Sequence, residues 1–397
     1  MPHSAPPDPT RREPLEKIGD LAAAAGIRAI NVLAWRDLDD PEAGGSEVHI
    51  HEVMRRWAAA GISVTMRTSF ASGQPPIASR DGYRVIRRAG RYLVFPRAAA
   101  SEALRRHGPA DALVEVWNGI PFLSPLWHPR RPRLALLHHL HTELWPSVLS
   151  PTAARAGDLI ERRVAPLAYR HTPVATLSES SRRDVLARTW LRPDQVHVVP
   201  PGIDPRFVPS PSARHAEPLV VAVGRLVPGK RFDLLLDAVA RLRDRGQPSR
   251  LVVVGEGYER DTLRGHIGDL GLDALVELRG HVSDDELVEL YQSAWVVASA
   301  SSSEGWGMSL TEAAACGTPA VATRIAGHID AVQHDRTGLL VEPAELSDAL
   351  AQVLGDLSLR SRLQRHAQEA AAGLSWERTA LSLLRLLADQ ASSTPRP

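Results

Sequence analysis

Apolar residues in this chain fall into short runs separated by longer segments of mixed polarity. The run RAINVLAW over residues 28–35 is mostly apolar and predicts a buried strand. Over residues 46–60, Val48, Val53 and Trp57 then recur at helical spacing. A strand, a loop and a helix therefore open the fold.

The same alternation continues through both halves of the chain. Further runs that predict strands lie at 62–66, 112–117, 134–138, 174–178, 196–200, 219–225, 251–257, 276–280 and 295–299. Helical or loop segments separate them, including a helix over 232–245, an amphipathic stretch over 344–371 and a last helix over 376–391. This alternation predicts an α/β fold with mainly parallel sheets and helices on both faces.

A Pro/Gly cluster at residues 200–205 interrupts the alternation and marks a domain boundary. Because 397 residues exceed what one core usually serves, we expect two Rossmann-like, doubly wound domains that face a cleft. The predicted division is a disordered tail over 1–20, a first domain over 21–205, a second domain over 206–374 and a helix over 375–397 that packs back toward the first domain.

Composition narrows the functional class. Basic and acidic residues leave a formal charge of +1, so we expect no nucleic-acid partner. The single cysteine, Cys316, rules out an internal disulfide and fits a reducing compartment. Residues 1–20 lack an apolar signal region, and no apolar run reaches the roughly 20 residues of a membrane span. These features predict a cytoplasmic protein.

The most informative segment, residues 301–321, lies between a predicted strand and a predicted helix. Gly305 and Gly307 would let the backbone approach a ligand closely. The amides of Gly307, Met308 and Ser309 would be donors at a helix N-terminus, which suits a phosphate group. We therefore expect an anion site here.

Charged residues surround this segment. Glu304 and Glu312 are eight residues apart and would address opposite ends of one ligand. Arg225 and Lys230, in the segment GRLVPGK after the second domain's first strand, are the candidate cations between them. Two cations and a helix terminus would neutralise a leaving diphosphate without a metal.

These segments, SEGWGMSLTEAAACGTPAV and GRLVPGK, resemble the donor site of family 4 glycosyltransferases, which have the GT-B fold. The segments VVVGEGYERDTLRG, LRGHVSDDELVELYQSAWVVASAS and HDRTGLLVEP follow the family's order, so the resemblance covers residues 200–345. The first half resembles the family more loosely, through AGGSE, LLHH, VATLSESSRRDV and VVPPGID.

The resemblance implies roles for the donor-site residues. Arg225 and Lys230 would bind the donor diphosphate, Glu312 the ribose, and Glu304 the transferred sugar as a catalytic residue. The nucleotide base would contact the backbone of the loop Gly280-His281-Val282. The remaining donor-binding residues implied are Gly305, Gly307, Met308, Ser309 and Leu310.

In the first half, His138 matches the family's histidine near the reacting sugar and would be the second catalytic residue. His139 follows it directly, so the register between these two histidines stays open. Gly44 and Gly45 match the loop that closes near the phosphates and the acceptor. Candidate acceptor-lining segments are residues 37–47, 117–119 and 138–145.

The resemblance implies a retaining transfer of a hexose from a UDP- or GDP-linked donor to a hydroxyl acceptor such as a glycan, a glycolipid or a small metabolite. The nucleotide sugar is a co-substrate, and neither a cofactor nor a metal is implied. The first domain would bind the acceptor and the second the donor. At Pro201 this chain departs from the Asn that relatives often have, so that side chain receives no role.

Several alternatives remain. A nucleotide-sugar epimerase or a phosphorylase would use the same fold, and a non-catalytic nucleotide-binding regulator would keep it without turnover. An NAD dehydrogenase is disfavoured because no Gly-x-Gly-x-x-Gly turn follows the first strand. Neighbouring strand positions point His138 and His139 to opposite faces, which disfavours a metal site.

The basic clusters also allow two interpretations. They are Arg130, Arg131 and Arg133, the pair Arg162-Arg163, and the pair Arg55-Arg56. Such residues commonly form a solvated face. The alternative is peripheral contact with anionic headgroups at the inner face of the membrane, since many enzymes of the family use lipid-linked acceptors.

Overall fold

The computed structural model describes residues 9–106, 108–140, 150–210 and 214–393. The chain forms two compact units. Unit 1 runs to Gly202 and resumes at Trp376, whereas unit 2 spans Ile203–Ser375. The boundaries expected from the sequence followed residues 205 and 374, so both lie within a few residues of those in the structure.

The centre of unit 1 is a mostly parallel sheet. Its strands are β1 Ala29–Leu33, β2 Ser63–Thr68, β3 Ile77–Arg80, β4 Tyr83–Arg87, β5 Ala112–Trp117, β6 Arg133–Leu137, β7 Val174–Thr176 and β8 Val196–Val198. The strand order is β3-β4-β2-β1-β5-β6-β7-β8. β3 pairs antiparallel with β4, and the other neighbours pair in parallel. The sequence did not predict β3 and β4, which are short and partly exposed.

Helices connect these strands. They are α1 Pro9–Ala25, α2 Gly45–Ala59, α3 Val94–Ala103, α4 Ser124–Trp127, α5 Pro151–Leu159, α6 Ala165–Ala168 and α7 Glu179–Arg188. A π-helical turn, Ile160–Val164, joins α5 to α6. Central strands of the sheet are therefore buried; Val32 and Leu33, for example, have no exposed surface.

Unit 2 contains a second sheet, which is fully parallel. Its strands are β9 Leu219–Val223, β10 Arg250–Val254, β11 Val276–Gly280, β12 Val296–Ser299, β13 Ala320–Thr323 and β14 Gly338–Val341. The order β11-β10-β9-β12-β13-β14 is that of a doubly wound, nucleotide-binding sheet. The strands β13 and β14, each of four residues, were not predicted.

The helices of unit 2 cover both faces of its sheet. They are α8 Phe232–Asp244, α9 Arg260–Asp269, α10 Asp284–Ser293, α11 Met308–Ala315, α12 His328–Ala331, α13 Leu346–Gly355 and α14 Leu357–Ala371. The single amphipathic stretch expected over 344–371 is thus two helices. They separate at Asp356, whose side chain accepts a hydrogen bond from the Leu359 amide and caps α14.

The last helix, α15 (Trp376–Ser393), belongs to unit 1 and packs against α1, α2 and β6. The Trp57 indole on α2 donates a hydrogen bond to the Ala380 carbonyl at 3.0 Å. The Arg56 guanidinium on α2 binds the Glu377 carboxylate at 2.9 Å. The first and last described helices of this unit therefore pack against each other.

The disordered tail expected over 1–20 is wrong for the part that the structure describes. Residues from Pro9 onward are helical, and Ile18 and Ala22 are buried. The helix packs on α15 and on α2. The local sequence gives little indication of such a helix, because α15 lies far away in the sequence. Residues 1–8 lie outside the described part.

The packing of α15 generates a stability prediction. Trp57 has no exposed surface, so Trp57→Ala should lower the free energy of unfolding by about 3–5 kcal/mol through the cavity and the lost hydrogen bond. Urea unfolding followed by far-UV circular dichroism measures this change. The matched control is Trp190→Ala, because Trp190 is 54% exposed and should change the free energy by about 0.5 kcal/mol or less. Equal losses in the two variants would contradict the prediction.

Candidate functional site

Two loops of unit 2 meet where the strand order of its sheet reverses. β9 and β12 are neighbours, and the chain leaves them toward opposite edges of the sheet. Ligands of doubly wound sheets bind outside the carboxyl ends of the strands at such a reversal. The loop after β9 carries residues 224–230, and the loop after β12 carries residues 300–307. The Ser302 amide donates to the Gly229 carbonyl at 2.9 Å, so the two loops are directly joined.

Lys230 and Glu304, predicted from these two loops, form an ion pair. The Ser301 hydroxyl donates to the same Glu304 oxygen, Oε1, at 2.8 Å. Burial raises the pKa of the Glu304 carboxyl, but the positive charge of Lys230, helped by His328, outweighs it and lowers that pKa to about 2. Glu304 is therefore ionised at neutral pH. Its side chain is 19% exposed and that of Lys230 is 27% exposed, so a ligand has access to both.

The helix α11 begins directly after this loop. Gly307 has φ +121°, a conformation that L side chains rarely adopt, and a Cβ there would lie 3.1 Å from the His328 ring. The amides of Met308 and Ser309 belong to the first turn, whose N–H groups have no intrahelical acceptor. This turn therefore presents donors next to the Lys230–Glu304 pair.

The predicted residue Leu310 has a different position. Its side chain is 1% exposed and lies in the core, and its amide donates to the Gly307 carbonyl at 3.0 Å. Both its side chain and its N–H are thus engaged within the protein. Leu310 shapes the loop and the helix rather than presenting a group to a ligand.

Gly327 and His328, which the sequence analysis did not identify, support this loop from behind. A Cβ on Gly327 would lie 2.5 Å from the Glu304 carbonyl oxygen, so the two backbones touch. The buried His328 donates from Nδ1 to the Thr323 carbonyl at 2.9 Å, and its Nε2 lies 3.3 Å from the Ser299 hydroxyl. Burial lowers the pKa of His328. The available signal was a Gly-His pair at a helix start after a strand.

Glu312 lies on α11, beyond the first turn. Its Oε2 accepts a hydrogen bond from the Tyr291 hydroxyl at 3.2 Å. Burial raises the pKa of Glu312 to about 7, and the negative charges of Asp204 and Asp284 add to this effect. The two predicted carboxylates therefore differ in charge near neutral pH, because Glu304 has a cation beside it and Glu312 has a phenol.

The other predicted donor-site residues lie on neighbouring loops of unit 2. Arg225 is exposed and directly follows the Gly224 turn after β9. Gly280 ends β11 with φ +79°, and a Cβ there would lie 2.5 Å from a Glu256 carboxylate oxygen. His281 is exposed, whereas Val282 is buried in a cluster with Leu310. Only backbone groups of Val282 therefore remain for a ligand.

The predicted residues of unit 1 lie at its own strand reversal, around β1, β5 and β6. His138 follows β6, is 3% exposed, and places its Nε2 3.0 Å from Nδ1 of His49 on α2. His139 is half-buried. The side chain directed at α2 is therefore that of His138.

The glycines of unit 1 stand at the start of α2. The Gly44 amide donates to the Glu47 carboxylate at 2.8 Å, and Glu47 also lies 3.5 Å from the Arg36 guanidinium. Gly44 has φ −150°, an extended conformation that any residue adopts, and Gly45 is the first helical residue. Glycine is therefore not required here by the backbone angles.

Polar contacts hold the candidate acceptor-lining segments in their conformations. In the loop over 37–47, the fully buried Arg87 guanidinium binds Asp37 at 2.8 Å. The Trp117 indole donates to the Gly119 carbonyl at 2.9 Å, and Asn118 is 8% exposed. Of the segment over 138–145, residues 141–145 lie outside the described part.

Most of the basic clusters have internal partners. Arg131 pairs with Glu102, and Arg56 pairs with Glu52 and Glu377. Arg133 is buried and donates to the Arg131 carbonyl at 3.1 Å. The guanidinium groups of these three residues are therefore engaged within the protein.

Among the residues that the structure describes, no helix has the length and apolarity needed to cross a membrane. The same residues contain no group of three or more His, Cys, Asp or Glu side chains arranged to hold a metal ion.

Known proteins match this chain in sequence and in fold. A family model described as "Glycosyl transferases group 1" matches residues 205–370, and one described as "Glycosyltransferase Family 4" matches residues 43–207. A D-inositol 3-phosphate glycosyltransferase from Frankia alni is 31% identical over 87% of this chain and 94% of its own length. The enzyme of the same name from Nocardioides is 30% identical over 94% of this chain and 92% of its own length.

Solved structures share the fold at lower identity. Sucrose-phosphate synthase from Thermosynechococcus elongatus has a TM-score of 0.79 and 23% identity, with 92% of this chain and 100% of that chain covered. WaaG, a glycosyltransferase involved in lipopolysaccharide biosynthesis, has a TM-score of 0.71 and 18% identity, with 93% and 100% covered. Anabaena HepE, solved with UDP and glucose, has a TM-score of 0.69 and 20% identity, with 92% and 100% covered.

The family models, the relatives that match most of the chain and the shared fold all indicate the same family. The chain belongs to glycosyltransferase family 4 and is a glycosyltransferase with the GT-B fold.

Proposed function

We propose that this glycosyltransferase moves a hexose from a UDP- or GDP-linked donor to a hydroxyl acceptor and retains the anomeric configuration. The observation that carries the proposal is the Lys230–Glu304 ion pair beside the first turn of α11. A cation, a carboxylate and backbone donors at one point match the phosphates and hydroxyls of a nucleotide sugar. HepE, a protein of the same fold, was solved with UDP and glucose, and this supports a nucleotide-sugar donor.

In this proposal the diphosphate is held by positive charge. Lys230, Arg225 and the amides of Met308 and Ser309 would surround it, and the helix terminus adds roughly 0.3–1 kcal/mol per anionic group. Glu304, ionised beside Lys230, would accept hydrogen bonds from hydroxyls of the transferred sugar. Glu312 would accept hydrogen bonds from the ribose. No metal is needed to neutralise the leaving group.

The proposed chemistry is a front-face displacement. The acceptor hydroxyl attacks the anomeric carbon on the face from which the diphosphate departs. A bond forms between the acceptor oxygen and that carbon as the bond to the phosphate oxygen breaks, and the hydroxyl proton passes to the departing phosphate. The protein supplies cations that stabilise the charge developing on the phosphate oxygens, which is an electrostatic contribution to catalysis.

The names of the relatives suggest an acceptor to test first. Relatives that match most of this chain are named D-inositol 3-phosphate glycosyltransferases. A phosphorylated cyclitol is therefore the leading candidate for the acceptor. Purified protein should be incubated with UDP- or GDP-hexoses, with and without that acceptor, and the products analysed by mass spectrometry and by NMR of the anomeric proton. Turnover of the donor to an epimer without acceptor would favour the epimerase alternative.

The donor-site proposal predicts a specific loss for Lys230→Ala. Removing the ammonium should lower kcat/KM by about 10²–10³-fold, because the diphosphate loses a preorganised cation. The thermal midpoint should fall as well, because the Glu304 carboxylate loses its cation, so turnover is compared at a temperature where both proteins are folded. The matched control is Lys17→Ala, since Lys17 is 59% exposed and pairs with Glu13 on α1. Near-wild-type turnover in Lys230→Ala would remove Lys230 from the site.

The raised pKa of Glu312 predicts a pH dependence. With a pKa of about 7, Glu312 is mostly protonated at pH 6 and mostly ionised at pH 8. Since the ionised form accepts ribose hydrogen bonds better, UDP or GDP should bind about tenfold more tightly at pH 8 than at pH 6. Calorimetric titration measures this. The phosphates of UDP or GDP also titrate, but they do so equally in the wild type and in Glu312→Gln. If nucleotide affinity depends on pH as strongly in this variant as in the wild type, the assignment of Glu312 is contradicted.

We also propose peripheral membrane contact at the pair Arg162-Arg163, in which Arg162 additionally donates to the Arg188 carbonyl at 2.9 Å. The Arg163 guanidinium lies 4.5 Å from the centre of the Trp190 ring, and Trp190 and Leu167 are 54% and 59% exposed. Basic and apolar side chains together suit an anionic lipid surface. The protein should therefore sediment with phosphatidylglycerol vesicles and less with phosphatidylcholine vesicles, and Trp190→Ala/Leu167→Ala should weaken sedimentation. Equal recovery from both vesicle types would contradict this contact.

A further inference from the structure

Arg67, on β2, brings a positive charge into the interior of unit 1, where it is 1% exposed. Its guanidinium donates to the Thr68 carbonyl and, at 3.3 Å, to the Ile86 carbonyl. Its Nε is buried without a hydrogen-bond partner, and no carboxylate of the described chain forms an ion pair with it. Buried charges in proteins are normally paired, so this guanidinium lacks the usual counter-charge.

The neighbouring strand β4 shows the usual arrangement. Arg87 is as buried as Arg67, and its guanidinium binds the carboxylates of Asp37 and Asp39. Arg67 is the register partner of Ile86, the residue next to Arg87. Successive residues of a strand point to opposite faces, so the two arginines lie on opposite faces of the sheet. The two aspartates therefore neutralise a guanidinium on the other face.

The face that carries Arg67 is the one that α3 covers. Leu33 of β1 is the register partner of Arg67, and Leu33 packs in the core with Val94 and Ala98 of α3. Register partners in a parallel pair point to the same face. The Arg67 side chain therefore lies on the side of the sheet on which α3 packs.

Two exposed arginines add positive charge at this place. Arg97 lies on α3, and Arg88 directly follows β4. The Arg88 amide donates at 3.1 Å to the Thr68 carbonyl, which also accepts from the Arg67 guanidinium. Burial, followed by the positive charges of Arg88 and Arg97, lowers the pKa of Arg67 to about 10. Arg67 is still charged at neutral pH, and neither exposed arginine forms an ion pair with a described residue.

Ser69 adds a neutral donor on the same face. Its amide donates to the Trp35 carbonyl at 3.2 Å, so the pairing of β1 with β2 continues through Ser69. Alternate residues of a strand share a face, which places Ser69 on the side of Arg67. Ser69 is 2% exposed, and its hydroxyl is buried with no partner in the part of the chain that the structure describes. Such groups normally form hydrogen bonds.

Like charges held together without a counter-ion repel one another, and a bound anion would relieve this repulsion. We propose that Arg67, Ser69, Arg88 and Arg97 form an oxyanion site in unit 1 that binds a phosphate monoester. The exposed Arg88 and Arg97 contact its oxygens from solvent, since a guanidinium matches phosphate geometry. Arg67 and Ser69 lie behind them. This site goes beyond the proposed function, because it lies in unit 1 and its test measures binding rather than transfer.

Orthophosphate is the probe for this site. Calorimetric titration at constant ionic strength should detect its binding to the wild type, and phosphate should raise the thermal midpoint more than chloride does. Arg88→Gln and Arg97→Gln should each weaken the binding by about 10–100-fold, the scale of a lost charge-assisted hydrogen bond. Arg67→Met should remove most of the dependence of the midpoint on phosphate.

The matched control is Arg192→Gln. It removes the same charge from unit 1, at a residue that is 52% exposed in its side chain and pairs with Asp194. Its phosphate affinity should equal that of the wild type. Equal phosphate affinity in the wild type, Arg88→Gln and Arg97→Gln overturns the inference. Binding that these two variants keep but Lys230→Ala loses belongs to the donor site and overturns it as well.

Two further ligands distinguish the sources of the phosphate group. If it belongs to the acceptor, an interpretation that rests on the proposed function, D-inositol 3-phosphate should bind at least about tenfold more tightly than orthophosphate or inositol. Arg97→Gln should then raise KM for that acceptor with little change in kcat. If it is a free ion, orthophosphate should bind as tightly as the ester and should not compete with the acceptor.

Discussion

The contact between Lys230 and Glu304 is the interaction on which the candidate donor site depends. A buried carboxylate is costly unless a cation accompanies it, and here the two groups come from loops after neighbouring strands. The loop that carries Glu304 keeps its course because Gly327 allows the backbones to touch. The same contact places a lysine ammonium beside the first turn of α11. Sheet order, loop packing and charge therefore converge at one point.

The two glutamates of this site differ in charge, so the two ends of the site differ electrostatically. Glu304 is an anion under all ordinary conditions because its neighbour is an ammonium, whereas Glu312 is balanced between two protonation states because its neighbour is the Tyr291 phenol. In the sequence, both are simply glutamates near the start of one helix, and this pattern does not predict that their protonation states differ. The distinction arises from which elements pack against each side chain.

Local signals explain how much could be predicted from the sequence. Buried parallel strands are short apolar runs, so most strands were predicted, as was the loop at residues 301–307. The Lys230–Glu304 contact joins residues 74 positions apart. Charge balance between two carboxylates pointed to Arg225 and Lys230 as cations of one site, but not to the direct pairing of Lys230 with Glu304. The helix α1 was missed because α15, on which it packs, comes from a distant part of the chain. His328 was missed because it supports the loop through tertiary contacts that the local sequence does not indicate.

The identity of the cation at this site has a practical consequence. The chain has 47 lysines and arginines, and two of them, Lys17 and Lys230, are lysines. An ammonium is a compact point charge, whereas a guanidinium is a broad planar fork, so arginine would not fill the same space beside Glu304. Unit 2 therefore contains one side-chain amine, and it lies in the candidate donor site. Isotope labelling of lysine alone would make that site visible by NMR without any engineered probe.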